Sequence, residues 1–466
     1  MTDVIETPAI VPVVPKFGRA FRFARELSLV IAGQIGVAAV GLGGLRVLTT
    51  LLGPEQFGIL ALGLSIATLF QQVALGPVAV ATLRYAGTAW ETGGLMPFMR
   101  DVDRMLAQAI GLCLAGGAAA GVVLAAFGLW HWLVMGAMCL WFSAASALLA
   151  TNLAIDAALR HRGWVSGMQV GSESLRFAVA AVALTTFHTA SAPIAMAGFA
   201  LALTVAGAVQ RIRTRARVRS AERETVVGDE WRPALLRFAK PLAVTGGLTW
   251  SQMASDRWSL NAMISTSQVG VYSVVYQIAV APFSLLGVTI QQLLAPIVFQ
   301  IAGTGKNRDA VRASHLQVLA AVAVILLATG VAMLVTWQFH AAIFALLVGP
   351  QFATYSSLLP LGVLSGGLLA AGQVVATTVL SRGETEQLVL PKAVTAVLGL
   401  ILNVIGAHYY GVIGVLSANA VFATIYFLWM YRMAGAARGP SARASVTGAD
   451  PSLDPSGTSP EAAWSK

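Results

Sequence analysis

Charge is what this sequence has least of. Only 11% of its 466 residues are Asp, Glu, Lys or Arg, against about 25% in a soluble domain. Such a chain cannot wet the surface of a 466-residue soluble fold, which excludes an ordinary cytosolic enzyme and a disordered protein. Cysteine is almost absent: Cys113 and Cys139 both sit in apolar runs, which excludes a disulfide framework. The six histidines are scattered without metal-ligand spacing. There is no Gly-rich phosphate loop ending in Lys-Ser/Thr, so direct use of ATP is not expected. No large external loop is present to house the catalytic groups of a glycan polymerase or ligase. The expected reading is no enzyme, no metal and no cofactor.

Apolar residues fill the chain instead, at 57%, with a mean hydropathy of +0.75. About 20 apolar residues cross the hydrocarbon as one helix. Twelve segments meet that length, at 27–50, 57–82, 105–127, 132–153, 167–187, 193–210, 236–255, 269–298, 315–336, 354–380, 388–407 and 411–431. Gly and Ala recur through them, as in helices that pack closely within a bilayer. The first run is too long for a cleavable signal and is followed by further spans.

The net charge of +10 is explained by where the basic residues fall. With the N-terminus placed in the cytoplasm, all but three of the 30 Lys and Arg residues fall in cytoplasmic segments. This is the positive-inside pattern, with both termini cytoplasmic. Contact with anionic membrane lipids, rather than nucleic acid, accounts for the charge. The basic stretch 211–235 divides the chain into six plus six spans. The expected organisation is an N-terminal segment 1–26, a first bundle 27–210, the linker 211–235, a second bundle 236–431 and a loose tail 432–466. The fold class is all-α: a polytopic membrane protein with two six-helix bundles around a central cavity.

The halves carry weak internal similarity. Phe57-Gly58 and Val269-Gly270 each follow the first span of their half, with Arg46 and Arg257 a dozen or so residues earlier. Six is even, so duplicated halves would run parallel, related by an axis along the membrane normal.

The three basic residues outside the cytoplasmic segments are Arg46, Arg176 and Arg257. An ionisable group inside a membrane normally faces protein or a water-filled cavity. Arg176 lies about 15 Å into its helix if that helix starts near residue 166. Gln169, Glu173 and Arg176 share one helical face, and Glu173 and Arg176 can pair at i, i+3. Two readings stay open: a buried ion pair joining spans, or a cavity site whose guanidinium meets an anionic headgroup. Arg46 either snorkels to the outer surface or lines the cleft. Asp256 could neutralise an arginine, or hold a proton or sodium ion. Arg84 anchors topology or makes first contact with an anionic cargo. Gln34, Gln252 and Gln277 are amides that either bind sugar hydroxyls or link helices. Pro77, Pro282 and Pro296 interrupt long spans.

Several of these residues carry a family resemblance. Arg46, the run Leu52-Gly53-Pro54-Glu55-Gln56-Phe57-Gly58, Gly76, Arg84-Tyr85, Asp256-Arg257 and Val269-Gly270-Val271-Tyr272-Ser273 resemble the oligosaccharide flippase family. That family is the polysaccharide branch of the multidrug/oligosaccharidyl-lipid/polysaccharide exporter superfamily. The resemblance implies alternating-access movement of a polyprenyl-diphosphate-linked glycan between leaflets of the bacterial cytoplasmic membrane, in lipopolysaccharide or exopolysaccharide biosynthesis. A polysaccharide polymerase or export machinery would be the implied partner. A cation-coupled multidrug exporter of the same superfamily is the alternative, and it would centre its cavity on a carboxylate.

Overall fold

The computed structural model describes residues 16–220, 231–302, 308–380 and 389–436. Most of the expected tail 432–466, most of the N-terminal segment and part of the linker lie outside the described residues, whereas 432–436 continue the last helix. Among the described residues every element is helical.

Helix α1 (Lys16–Leu51) turns at Gly53 into α2 (Pro54–Phe70). Pro54 starts α2 where a missing N–H costs nothing, and Glu55 lies in the positive first turn. A single π-turn, Gln71–Leu75, then joins α2 to α3 (Gly76–Glu91). Pro77 cannot donate to the preceding turn, and the Gly76 N–H reaches back five residues to the Gln71 carbonyl. Next come α4 (Leu95–Ala126), α5 (Trp130–Ala158), α6 (Arg162–Thr186) and α7 (Ala192–Ser220). Helix α7 thus runs through ten residues of the expected linker, and α8 (Arg232–Met263) starts inside it.

Ser265 caps α9 (Thr266–Ala279), its hydroxyl accepting from the Gln268 N–H at 3.4 Å. Helix α10 (Ala281–Ala302) follows after a 41° bend, with Pro282 at the break. Helix α11 (Arg308–Leu347) leads through a 3₁₀ turn to α12 (Leu359–Leu380). The last stretch, α13 (Val389–Ala436), is broken at Gly411, whose φ of 61° is left-handed. Its two arms fold back on each other. A Cβ on Gly406 would lie 2.5 Å from the Gly414 carbonyl oxygen, whereas eight residues of straight helix span about 12 Å.

Among the described residues eight continuous helical stretches are long and apolar enough to cross a membrane, with α2 and α3 together counting as one, or nine if the bent pair α9–α10 counts as one span. The expected count of twelve is not reached by apolar length alone. Helices α6 and α8 fall short of that standard and carry Glu173, Arg176, Asp256 and Arg257, the charges expected within the membrane. The break at Gly411 lies within one long apolar stretch, Ala393–Gly435.

Two ends of the molecule can be followed through contacts. At the Leu51 end, the starts of α2, α5 and α7 surround one cavity with the α8–α9 turn. At the Trp231 end, the start of α8 is held by α3 and α4. The Trp231 ring packs edge-on against Phe98 at 5.5 Å, and the Trp231 backbone N–H donates to Asp101 at 3.1 Å. Leu235 and Ala239 of α8 are buried in the same apolar cluster as Phe98 and Ala86.

Candidate functional site

Between the two parts of the chain lies a chamber of about 290 Å³. Helices α1, α2, α6 and α7 line one side, and α8 and α9 the other. Most of the wall is apolar, with Leu45, Leu60, Leu64 and Phe199 on one side and Met253 and Ala254 on the other. Two charged side chains reach it: Arg176 from α6 and Arg257 from α8.

The two arginines are built alike. Arg176 is ion-paired with Glu173 one turn earlier and lies over the rings of Phe177 and Phe199, at 4.9 and 4.8 Å. Arg257 is ion-paired with Asp256 at 3.4 Å and lies over Tyr276 and Tyr272, at 4.7 and 5.7 Å. Each guanidinium therefore has a carboxylate on one side and aromatic faces beside it, a setting in which a cation tolerates low polarity. Neither is sealed: the Arg176 side chain keeps 22% of its surface exposed and Arg257 keeps 17%.

Asp256 and Arg257 are adjacent, and neighbours on a helix do not face each other. Here Asp256 Oδ1 accepts from the Arg257 backbone N–H at 2.6 Å, and the guanidinium curls back to the same oxygen. Asp256 Oδ2 accepts from the Tyr272 hydroxyl, which accepts from Asn419 at 2.9 Å. Asn403 donates to Ser255 at 2.9 Å. This network ties α8 to α9 and to both arms of α13. The bonds from Asp256 to Tyr272 and on to Asn419 fix the angle at which Arg257 leaves α8.

The other expected site residues are dispersed. Gln277 is exposed and lines the chamber. Arg46 lies at the Leu51 end, where it donates to the carbonyls of Val348 and of Ala345, the latter at 3.0 Å. Those carbonyls lie in the last turn of α11 and just past its end, where helical acceptors run out of donors. Thr49 supports the same junction, accepting from the Gly349 N–H at 2.9 Å. Arg84 is exposed at the Trp231 end, over Phe238 and Tyr85. Gln34, Gln169 and Gln252 are half-buried on α1, α6 and α8 and are not among the residues lining the chamber.

Some of the chamber was not anticipated from sequence. Trp250 donates to the Ser65 carbonyl at 2.7 Å, and Trp258 donates to the Ser65 hydroxyl at 3.0 Å. Two indoles of α8 thus grip one residue of α2. The signal was present: Trp250, Ala254 and Trp258 recur at i, i+4 and i+8 on one face. Among the described residues no group of three His, Cys, Asp or Glu side chains could hold a metal.

The sequence matches no protein-family profile, and no curated protein is significantly similar to it. Solved structures do match in fold. An outward-facing multidrug resistance MATE transporter of the MOP superfamily aligns with a TM-score of 0.56 at 15% identity, over 88% of this chain and 96% of that one. The lipid II flippase MurJ, in an inward closed conformation, aligns with a TM-score of 0.61 at 12% identity, over 87% of each chain. The Vibrio cholerae MATE transporter VcmN aligns with a TM-score of 0.55 at 16% identity, over 90% and 97%. The chain therefore has the all-α fold shared by these membrane transporters.

Proposed function

We propose that this protein is an alternating-access transporter of the bacterial cytoplasmic membrane, built as two six-helix bundles with both termini inside. The shared fold supports this, since all three similar structures named above are of transporters. The Trp231 end is then cytoplasmic. Arg160, Arg162, Arg211, Arg215, Arg219, Arg237 and Lys240 all belong to the helix ends and turns there. The eleventh and twelfth spans are the two arms of α13, and the charge-bearing α6 and α8 are the fifth and seventh.

For the cargo we favour an amphipathic molecule with a diphosphate headgroup, a polyprenyl-linked oligosaccharide. One observation carries this: Arg176 and Arg257, from opposite sides, reach one partly apolar chamber. Two guanidinium groups suit phosphate oxygens, and removal from bulk water strengthens the pairing. Glu173 and Asp256 hold these cations, and an arriving phosphate competes for them. The lipid tail stays in the bilayer while the polar part crosses.

A second reading is favoured by a different observation. Two of the three similar structures named are multidrug transporters, which weighs toward cation-coupled drug export. Against it, the carboxylates in the chamber region are already paired with arginine.

Reconstituted vesicles discriminate. The native chain is expected to flip a labelled polyprenyl-diphosphate glycan, and Arg176→Gln to lose at least about tenfold in rate. Full flipping by that variant rejects the headgroup site. Ion-driven drug efflux without glycan flipping establishes the second reading.

A further inference from the structure

The larger cavity is not the chamber. An open bowl of about 780 Å³ lies at the Leu51 end, between the starts of α2, α5 and α7 and the α8–α9 turn. That volume falls within the roughly 300–1,000 Å³ of small-molecule sites. Helix α2 is the wall between the two spaces: Leu60, Ala61 and Leu64 face the chamber, and Glu55, Gln56 and Ile59 face the bowl.

The two spaces differ in chemistry. Among the described residues no basic side chain lines the bowl, and Glu55 is the one ionisable side chain there. A carboxylate with no cation beside it repels phosphate, so the bowl does not suit the headgroup that the chamber suits. Its other polar groups are Gln56, Asn261, Thr266 and several serine hydroxyls, and the Trp132 indole forms part of the wall. Both amides are oriented by their oxygens. Gln56 Oε1 accepts from the Ala192 N–H at 3.0 Å, and Asn261 Oδ1 accepts from the Thr266 hydroxyl at 2.8 Å. That leaves their NH₂ groups as donors. A mixed set of amide donors, hydroxyls, one carboxylate acceptor and an indole matches a hydroxyl-rich, largely uncharged ligand. A lipophilic cation would use the carboxylate and the ring and leave the amide donors unanswered.

We propose that this bowl is a glycan-binding vestibule on the external side, which takes the sugar part of the cargo once α2 and α9 separate and the diphosphate at Arg176 and Arg257 faces outward. The assignment of the side and of the cargo rests on the function proposed above. The ligand class is an oligosaccharide, bound through hydroxyls and through an apolar sugar face against Trp132. The site acts on cargo held above the chamber and so favours glycan-bearing over bare lipid diphosphates.

The probe is a panel of soluble, phosphate-free trisaccharides of hexoses, N-acetylhexosamines and uronic acids. Saturation-transfer NMR on the full chain in lipid nanodiscs reads their binding. At least one trisaccharide is expected to bind saturably. Trp132→Leu and Gln56→Leu should each weaken it at least about tenfold, while Arg176→Gln leaves it unchanged. Melting temperatures establish that the variants are folded, and the exposed Glu55→Gln serves as a further variant should Trp132→Leu fail to fold. No binding by the native chain overturns the proposal, as does undiminished binding by Gln56→Leu and Trp132→Leu. Binding of tetraphenylphosphonium that depends on Glu55, without sugar binding, makes the bowl a cation site and also overturns it. Sugar binding retained in a chain whose Arg176→Gln variant still flips at the native rate would remove the headgroup site and leave the vestibule standing.

Discussion

Gly58 and Gly270 lie backbone against backbone where α2 crosses α9. A Cβ added to Gly58 would sit 1.9 Å from the Thr266 carbonyl oxygen, and one added to Gly270 would sit 2.0 Å from the Pro54 carbonyl oxygen. Each glycine thus meets the residue four positions before the other, so the contact is symmetric. Their neighbours Phe57 and Val269 are both buried in the common core. At this crossing the two parts of the chain approach to a distance only glycine permits.

Any side chain here must push the helices apart. Gly58→Val is expected to cost about 1–3 kcal/mol of stability, as overpacking does. It should also open the chamber from the Leu51 end. The check is maleimide labelling of Ser273→Cys, a chamber residue, in a background without Cys113 and Cys139. Labelling should be faster with valine at position 58. Unchanged labelling together with unchanged melting would mean the crossing has slack.

Arg46 closes the same end by a different bond. Its guanidinium serves the final carbonyls of α11, and Thr49 accepts from the Gly349 N–H beside them. Arg46→Met keeps much of the stem and removes the donors, at a cost of about 1.5–3 kcal/mol for a charge-assisted bond. The expected phenotype is a lower melting temperature and faster Ser273→Cys labelling, with headgroup affinity unchanged. A drop in affinity at unchanged labelling would instead return Arg46 to the binding site.

These two residues show what sequence could and could not carry. The pairing of Phe57-Gly58 with Val269-Gly270 was visible as a short internal similarity, because close helix contact demands glycine at a fixed place in each copy. Arg46 and Arg257 looked equivalent for the same reason, yet one caps a helix and the other reaches the chamber. Spacing fixes the depth of a side chain on its own helix, but its partner is set by which other helix ends nearby. Glu173 and Arg176 were legible as a pair because they are one turn apart. The grip of Trp250 and Trp258 on Ser65, nearly two hundred residues away in sequence, was not. The bowl escaped notice because its lining comes from helix starts and turns, whose polar residues read as ordinary boundaries.

Glu173 gives a test of opposite sign to Arg176. The carboxylate is paired with the guanidinium, so a phosphate must displace it. Glu173→Gln removes that competitor, and a short-chain polyprenyl diphosphate should bind at least as tightly as to the native chain. Arg176→Gln should weaken the same ligand about tenfold or more, equivalent to 1.4 kcal/mol. The double variant should resemble Arg176→Gln alone, because the competitor matters only while the arginine is present. Titration calorimetry on detergent-purified chain reads all three. Equal weakening in both single variants would mean the pair is a structural brace whose integrity, rather than its cation, is needed.

The last expectation concerns the basic end of α7, which the sequence presents as part of the linker 211–235. Asp156 is 2% exposed, and it accepts from Gln210 at 2.5 Å while also meeting His161 and Arg217. Asp103 on α4 takes Arg211 and Arg215, at 2.8 and 3.0 Å. Two aspartates on neighbouring helices therefore hold the α7 extension against the first bundle. The Arg217 side chain is 43% exposed, so its ion pair adds little by itself. The larger share belongs to the buried Gln210 bond. Asp156→Ala leaves the Gln210 NH₂ group with Thr214 alone, while its oxygen still accepts from Trp164 at 2.7 Å, and should cost about 1–3 kcal/mol, seen as a lower melting temperature and faster hydrogen exchange in 211–218. Asp156→Asn keeps an acceptor for Gln210 and should lose less. Flipping per folded molecule should stay at the native level in both, because this network lies away from the chamber. Native exchange rates in Asp156→Ala would show that packing of Val218 and its neighbours, rather than the carboxylate, holds the helix in place.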